Sequence, residues 1–432
     1  MGTRRIADFV RDLLGDALPI SVEAYDGSRI LAIDSTATLV IRSPDAIPRI
    51  LYAPGELGLG RAYVAGDLDV EGDIFAALSL RDRLPDLHLR PHHLADLARL
   101  AGKEHLRPIP PPAEEARLHG RRHSPDRDAA AIAHHYDVSN RFYDIVLGPS
   151  LTYSCAVFSS PDDTLEQAQA NKYELISRKL DLRPGMRLLD VGCGWGGMVL
   201  HAAAHHGVSA VGITVSKAQA ERANQRIAAA GLADRAEVRV QDYREVTDGP
   251  FDAVSSIGMF EHVGKAHLAE YFDKLRSLLR PQGRLLNHGI SRPRPGRSRL
   301  GRRSFVDRYV FPDGELHEVG STVTALHEAG FEVRHLENLR EHYALTLRRW
   351  VANLERHWDE AVAEVGAPRA RIWRLYMAAS ALNFEANRNQ IHQALAVATT
   401  RGASGMPLRP RFDLLTPFEP TPAGDGRATV RI

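Results

Sequence analysis

The chain has 432 residues, and its 55 Lys and Arg against 54 Asp and Glu leave a formal net charge of +1, so a globally basic nucleic-acid binder is not expected. Its two cysteines, Cys155 and Cys193, exclude a disulfide scaffold and a four-cysteine zinc site, and fit a reducing compartment. With 44% hydrophobic residues the chain can bury full cores for two or three domains, while no run approaches the roughly 18 apolar residues of a membrane span.

The first segment (MGTRRIADFVRDLLGDALPI) starts like a signal peptide, but Arg11, Asp12 and Asp16 interrupt any apolar core. Ile6, Phe9, Val10, Leu13 and Leu14 fall at helical spacing instead. The plainer reading, a helix packed on its own domain, is preferred over one lying on a membrane surface. Ile20–Ala24 and Leu39–Ile41 alternate as strands, with the turn signal Asp26-Gly27 between them. The stretch 57–66 (LGLGRAYVAG) is glycine-punctuated, and Asp73–Leu80 reads as helix. Residues 1–104 are therefore expected to form a small α+β domain.

Residues 105–127 carry Pro108, Pro110, Pro111 and Pro112, then Arg121, Arg122 and Arg127, which marks a linker or extended strap. The main domain is expected over 128–405. From Arg183 onward strands (Met186–Val191, Ala210–Thr214, Ala236–Val240, Phe251–Ile257, Arg284–Asn287) alternate with helices (to about His205, about Ala218–Gly231, Leu268–Leu279). This alternation predicts a doubly wound, mostly parallel α/β sheet. Residues 406–432 read as an extended tail.

The strongest single motif is LLDVGCGWGG (188–197), an apolar strand running into a glycine turn that opens a helix. Glycines let the backbone turn sharply and approach a ligand, and the helix start offers unpaired N–H groups. A P-loop would need Gly-Lys-Ser/Thr after four residues, which is absent. A dinucleotide site would need an acid after the next strand, which ends instead in Gly212-Ile213-Thr214. The Asp-x-Gly-x-Gly loop of S-adenosylmethionine methyltransferases fits best, with Asp190 supporting the loop and the methionine end of the cofactor.

The wider pattern resembles the cyclopropane-fatty-acyl-phospholipid synthases and their mycolic acid cyclopropane synthase relatives. The matching stretches are HYDVSNRFYD (135–144), LTYSCAVF (151–158), LEQAQANKYELISRKL (165–180), LLDVGCGWGG (188–197), GITVSKAQ (212–219), QDYRE (241–245), GMFEHVG (258–264) and FVDRYVFPDG (305–314). The resemblance implies S-adenosylmethionine contacts at Tyr153, Ser154, Gly192, Gly194 and Gly196, from Thr214 through Ser216 to Gln219, and at Gln241, Asp242 and Tyr243. Thr214 and Gln219 would serve the ribose, and Asp242 and Tyr243 the adenine. For Tyr243 a place in the core is the plainer alternative.

It further implies that a bound bicarbonate ion acts as the base, held by Cys155, Glu261, His288, Ile290 and Tyr343. In that scheme Glu261 fixes the bicarbonate O–H and orients His288. Taken singly, each has an ordinary structural role: an inert buried thiol, a helix cap, a core histidine, a wall tyrosine. No metal site is read from the sequence.

Two departures stand out. The cysteine that many relatives carry in the C-terminal helical region corresponds here to Ser380, which removes a thiol nucleophile and favours the bicarbonate scheme. The segment Ser291–Arg303 has six arginines and no acid, and reads equally well as a solvated loop or an anionic-lipid contact.

The expected partner is an unsaturated phospholipid at a membrane surface, reached by a cytoplasmic, peripherally attached enzyme, with a homodimer left open. The product, a cyclopropane or a methylene-branched chain, is open as well. A nucleic-acid methyltransferase lacks support from an aromatic-interleaved basic face, and the intact glycine loop argues against a non-catalytic lipid binder.

Overall fold

The computed structural model of the protein describes residues 5–15, 18–83, 91–102, 107–116, 139–296, 304–312 and 314–412. They fall into two compact units: Met1–Val146 with Arg299–Gly314 and Leu347–Ala386, and Leu147–Ser298 with Glu315–Thr346 and Asn387–Ile432. The units are discontinuous, whereas the sequence suggests contiguous boundaries at 104, 127 and 405.

In the first unit, β1 (Ser21–Ala24), β2 (Arg29–Ile30), β3 (Ala37–Ile41) and β4 (Leu68–Gly72) form one sheet in the order β2-β1-β3-β4. β1 and β3 are parallel, and the outer pairs are antiparallel. The helix Ile6–Leu14 buries Ile6, Ala7, Phe9 and Val10 in one apolar cluster with Val22, Ile30 and Ile47. It packs on its own unit, as the plainer reading has it. The Asp26-Gly27 turn helps start it, because the Asp26 carboxylate accepts the Ile6 N–H at 3.0 Å. The glycine-punctuated stretch lies largely within a helix, Glu56–Ala65. Gly58 and Gly60 are there for close approach: a Cβ would collide with the Ala53 carbonyl at the first and with the Phe305 ring at the second.

Buried charge explains why late segments join this early unit. On the helix Ala367–Glu385, Arg374 bonds Glu355 at 2.7 Å, the Tyr63 hydroxyl at 3.1 Å and the carbonyls of Val70 and Gly72. Arg371 reaches Asp69 at 2.8 Å. Glu115, from the stretch expected to be a linker, is buried and takes a two-pronged bond from Arg61 at 2.8 Å and the Tyr309 hydroxyl at 3.2 Å. Residues 107–116 are thus tied down, as a buried carboxylate must be. The rest of the expected linker, 117–127, lies outside the described residues, as do 103–106 and, from the expected tail, 413–432.

The second unit holds β5 (Arg187–Val191), β6 (Ser209–Thr214), β7 (Ala236–Val240), β8 (Phe251–Ile257), β9 (Leu279–Arg292), β10 (His317–Glu318), β11 (Glu332–Asn338) and β12 (Gln390–Val397). Their order is β11-β12-β9-β8-β5-β6-β7, with β10 beside β9. β12 runs antiparallel to both neighbours, and the other pairs are parallel. This is the doubly wound, mostly parallel sheet expected. Leu188 to Val191 are all buried, as a central parallel strand requires. The chain winds from β5 to β6 and β7 on one side, then returns to β8 and β9 on the other. The carboxyl end of β5 is therefore the switch point where such sheets bind ligands. Among the described residues no helix is long and apolar enough to cross a membrane.

Candidate active site

The glycine loop follows β5, and its glycines have different reasons. Gly192 (φ 74°) lies against Met259, whose Cβ would be 3.0 Å from an added methyl. Gly196 (φ 76°) packs at 3.1 Å on Ala223, and Gly197 leaves room for the Tyr173 hydroxyl. Gly194 (φ 54°) alone faces open space, with nothing within 4 Å of an added Cβ. Three glycines let the protein pack on itself, and the fourth clears room beside the helix start at Gly197.

Asp190, at the end of β5, is buried and accepts the Ser255 hydroxyl at 2.6 Å. Burial pushes its carboxyl up to about 6, against the pull of Ser255 and Lys172. At the end of β6 the Thr214 hydroxyl donates to the Gln219 amide oxygen at 2.8 Å, and the Ser216 hydroxyl caps the following helix through the Gln219 N–H. Thr214 and Gln219 are buried and bonded to each other, so they shape this loop. Val215 between them is 45% exposed. Past β7 the Gln241 N–H bonds the Thr214 carbonyl at 3.0 Å. Asp242 caps the turn Tyr243–Glu245 and binds Arg244 at 2.8 Å. Tyr243 lies in the core, edge-on to Tyr271 at 4.8 Å, which is the plainer of its two readings.

The segment 151–158 is strapped to two helices. The Thr152 hydroxyl bonds that of Tyr173 at 2.8 Å, the Ala156 N–H donates to Thr346 at 3.0 Å, and the Phe158 N–H to His342 at 3.1 Å. Within it, the Ser154 hydroxyl takes a bond from Lys172 at 2.9 Å, and the Ser154 carbonyl one from Gln169 at 3.0 Å. Tyr153 is half-buried beside it.

Lys172 is a site residue that sequence reasoning missed. Its side chain is fully buried on the helix Leu165–Leu180, 4.0 Å from the centre of the Tyr173 ring. Burial pushes its ammonium down to about 7, while Cys155 and Asp190 pull the other way. The signal was a lysine among apolar positions of a helix, where a charge is rare unless it has work to do.

Backbone bonds tie the elements that carry the implied catalytic residues to the carboxyl end of β9. Gly289 has no Cβ because one would collide with the Phe260 ring. The turn Phe260–His262 therefore lies on the strand, and the Ile290 N–H donates to Glu261 at 2.7 Å. Ile290 pairs in register with Ile391 of β12, whose carbonyl takes the Leu339 N–H at 2.9 Å. The next residue of β9, Ser291, bonds His392 through its hydroxyl at 2.8 Å. The Leu339 carbonyl receives the Cys155 thiol at 3.7 Å and the N–H of Tyr343 at 3.1 Å. Cys155 is fully buried and burial pushes its thiol well up, so it stays protonated at neutral pH. Tyr343 is buried in the first turn of the helix Arg340–Arg356.

Here several polar atoms are not satisfied among the described residues. Glu261 Oε2, both ring nitrogens of His288 and Asn287 Oδ1 are buried without a hydrogen-bond partner. Burial pushes the Glu261 carboxyl up to about 7, opposed by the Ile290 N–H, and drives the His288 imidazole well below its ordinary value. The expectation that Glu261 orients His288 is not met: Glu261 is held by the Ile290 amide, and neither nitrogen of His288 is bonded to it. Ser380 lies on the helix Ala367–Glu385 of the first unit. Of the arginine-rich segment, residues 297–303 lie outside the described residues, as do 135–138 of the first matching stretch.

A sheet with its switch point at a glycine loop after β5, and an antiparallel β12 inserted between β9 and the edge strand β11, defines a Rossmann-like class I methyltransferase. The model of the mycolic acid cyclopropane synthetase family matches residues 123–394, and the chain belongs to that family of S-adenosylmethionine-dependent enzymes. It is 51% identical over 404 residues to a probable fatty acid methyltransferase of Mycobacterium tuberculosis, covering 91% of this chain and 94% of that one. It is 33% identical over 368 residues to the cyclopropane-fatty-acyl-phospholipid synthase of Escherichia coli, covering 84% and 89%. Among solved structures it resembles a mycolic acid cyclopropane synthase complexed with SAH and CTAB, with a TM-score of 0.58 and 31% identity over 62% of this chain and 98% of that one.

Proposed function

We propose that the protein transfers a methyl group from S-adenosylmethionine to the double bond of an unsaturated phospholipid acyl chain and closes a cyclopropane. The observation that carries this reading is the set of buried, unpartnered polar atoms on Glu261 and His288. Leaving such atoms unpaired costs about 1–3 kcal/mol each, so a group from outside the chain is expected to complete them.

A bicarbonate ion suits them. When bound, it supplies a base for the proton lost from the new methyl group. Glu261 Oε2 can accept its O–H, and a neutral His288 can donate one N–H to it. Ile290 acts by holding Glu261, since its N–H is already committed there. Tyr343 and the buried Cys155 are suited to wall the same place, and a thiol kept protonated does not compete as nucleophile.

The alkene is a weak nucleophile, so the donor methyl and the double bond must be held in line, which can supply about 7–11 kcal/mol at best. The open side of Gly194 and the strap at Tyr153 and Ser154 suit the methionine end of the donor. The apolar Val215 suits its ribose and adenine. The cation formed by methyl transfer must be kept from water, and the buried surroundings of β9 serve that end.

Access to acyl chains at a membrane surface is supported by the first unit, where Leu31 and Ile33 are 78% and 92% exposed. Such side chains are suited to enter a lipid interface.

The test is incubation with labelled S-adenosylmethionine and vesicles of unsaturated phospholipid, with and without added bicarbonate, followed by mass spectrometry of the acyl chains. Cyclopropane products whose yield rises with bicarbonate are expected. Methyl- or methylene-branched chains would replace the ring-closing step, and no acyl product would overturn the reading.

A further inference from the structure

Away from the site just described, three side chains converge between two helices of the second unit. Glu174 belongs to the helix Leu165–Leu180, and His201 and His206 to the helix Gly197–His206 that the glycine loop opens. Glu174 Oε2 lies 3.0 Å from His206 Nε2 and 3.5 Å from His201 Nε2. One ligand atom from each of the three lies within 4.8 Å of the others.

We propose that Glu174, His201 and His206 bind a divalent transition metal of the zinc class, clamping these two helices together. Zinc takes imidazole nitrogen and carboxylate oxygen at about 2.0–2.2 Å in a tetrahedron, which sets its ligand atoms about 3.3–3.5 Å apart. The spacings of Glu174 to the two imidazoles need only small adjustment, and the imidazole nitrogens, within 4.8 Å of each other, close on the ion. Magnesium and calcium prefer all-oxygen sets, which this cluster does not offer.

One further observation fits. The second oxygen of Glu174 takes the Arg178 N–H at 2.6 Å, the kind of outer donor that orients a metal-bound carboxylate. No motif announced the site, because His201 and His206 are five residues apart rather than four and Glu174 is on another helix.

The clamp bears on the glycine loop. Tyr173 lies beside Glu174, its ring is 5.7 Å from that of His201, and its hydroxyl occupies the space left by Gly197. The ion would brace these two helices, with protein ligands at three positions and water at the fourth.

The experiment titrates chelator-stripped full-length protein with Zn(II), by calorimetry and by thermal melts. Wild type, Glu174→Gln and His206→Gln are compared. The control is the double variant His92→Gln/His93→Gln, which removes adjacent imidazoles with ring centroids 4.0 Å apart. At saturating Zn(II), wild type and control should gain roughly 5 °C or more in Tm. Glu174→Gln and His206→Gln should lose that gain and one equivalent of binding, or weaken it at least tenfold. Should Glu174→Gln fail to fold, the partly exposed His206 decides, with its metal-free melt checked first. Equal Zn(II) binding in His206→Gln and wild type would overturn the proposal, as would an equal rise with Mg(II) or no binding at all.

Discussion

The two sides of the crevice at the carboxyl ends of the strands differ in how their polar groups are satisfied. On the β5 and β6 side Asp190 is met by Ser255, Thr214 by Gln219, and Ser216 by the Gln219 amide. On the β9 side Glu261 Oε2, the ring nitrogens of His288 and Asn287 Oδ1 have no partner among the described residues. The first side is a scaffold complete in itself, and what it offers a ligand is space and backbone. The second is an incomplete polar shell, and what it offers is unmet hydrogen bonding. Buried polar atoms are nearly always paired in proteins, so on the proposed reading the second side is where a bound group completes the shell.

The largest effect should come from breaking the incomplete side. Glu261→Gln keeps the shape and removes the acceptor charge, so turnover should fall roughly 100-fold or more while S-adenosylmethionine affinity stays within about twofold, by analogy with the loss of other oriented polar groups. Stability should move the opposite way. A carboxyl raised to about 7 in the fold favours folding at low pH, and that contribution is lost as pH rises from the ordinary carboxyl range through about 7. The variant should therefore melt with wild type near pH 4.5 and above it at pH 8. Unchanged turnover, or a melting difference of the reverse sign, would count against the site.

On the other side, the open face of Gly194 is the sharpest test. Gly194→Val adds a branched side chain at φ 54° in the only one of the loop's first three glycines with no neighbour. Calorimetric affinity for S-adenosylmethionine should fall at least tenfold. Gly194→Asn separates space from strain, because asparagine tolerates the left-handed region. It should fold better than the valine variant and still bind weakly. Wild-type affinity in both would mean that the ligand does not use this face.

A smaller effect is expected at Lys172, which stands between the two sides. Lys172→Met removes the bond to Ser154 and the charge beside Asp190, and should raise KM for S-adenosylmethionine about tenfold with a lesser change in kcat. The ammonium is held at about 7, so it is charged below that pH and neutral above it. Wild-type KM should rise as pH passes upward through 7, and the variant should lose that dependence. A flat wild-type profile would leave Lys172 a packing residue.

Much of this is legible in the sequence, for identifiable reasons. The run of strands and helices from Arg187 to Ser277 repeats with short turns, and hydrophobic periodicity locates it within a few residues. For β9 the pattern marks only Arg284–Asn287, because Pro281 and Gln282 before it and His288 after it interrupt the run, although the strand has 14 residues. β12 leaves no such trace: a parallel-sheet pattern gives no notice of an antiparallel strand inserted after a long helical stretch. The return of Leu347–Ala386 to the first unit is hidden too, since it rests on Arg371 and Arg374 meeting Tyr63 from 308 and 311 positions away. In the site, motif positions are brought together, but sequence could not show that Ile290 serves Glu261 or that Thr214 and Gln219 bond each other.

The smallest effect should fall on the complete side. Ser216 caps the helix Lys217–Ala229 by accepting the Gln219 N–H. Ser216→Ala removes that cap, which costs about 1 kcal/mol. In a unit of this size that corresponds to a fall in Tm of roughly 2–4 °C. The Thr214–Gln219 bond does not depend on the Ser216 hydroxyl, so the loop should keep its shape. If the β6 end is scaffold, S-adenosylmethionine affinity should stay within about twofold of wild type once both proteins are compared well below their melting points. A much larger loss of affinity with the small loss of stability would mean that the Ser216 hydroxyl touches the ligand itself. The line between a self-satisfied side and a ligand-completed side would then have to be redrawn through β6.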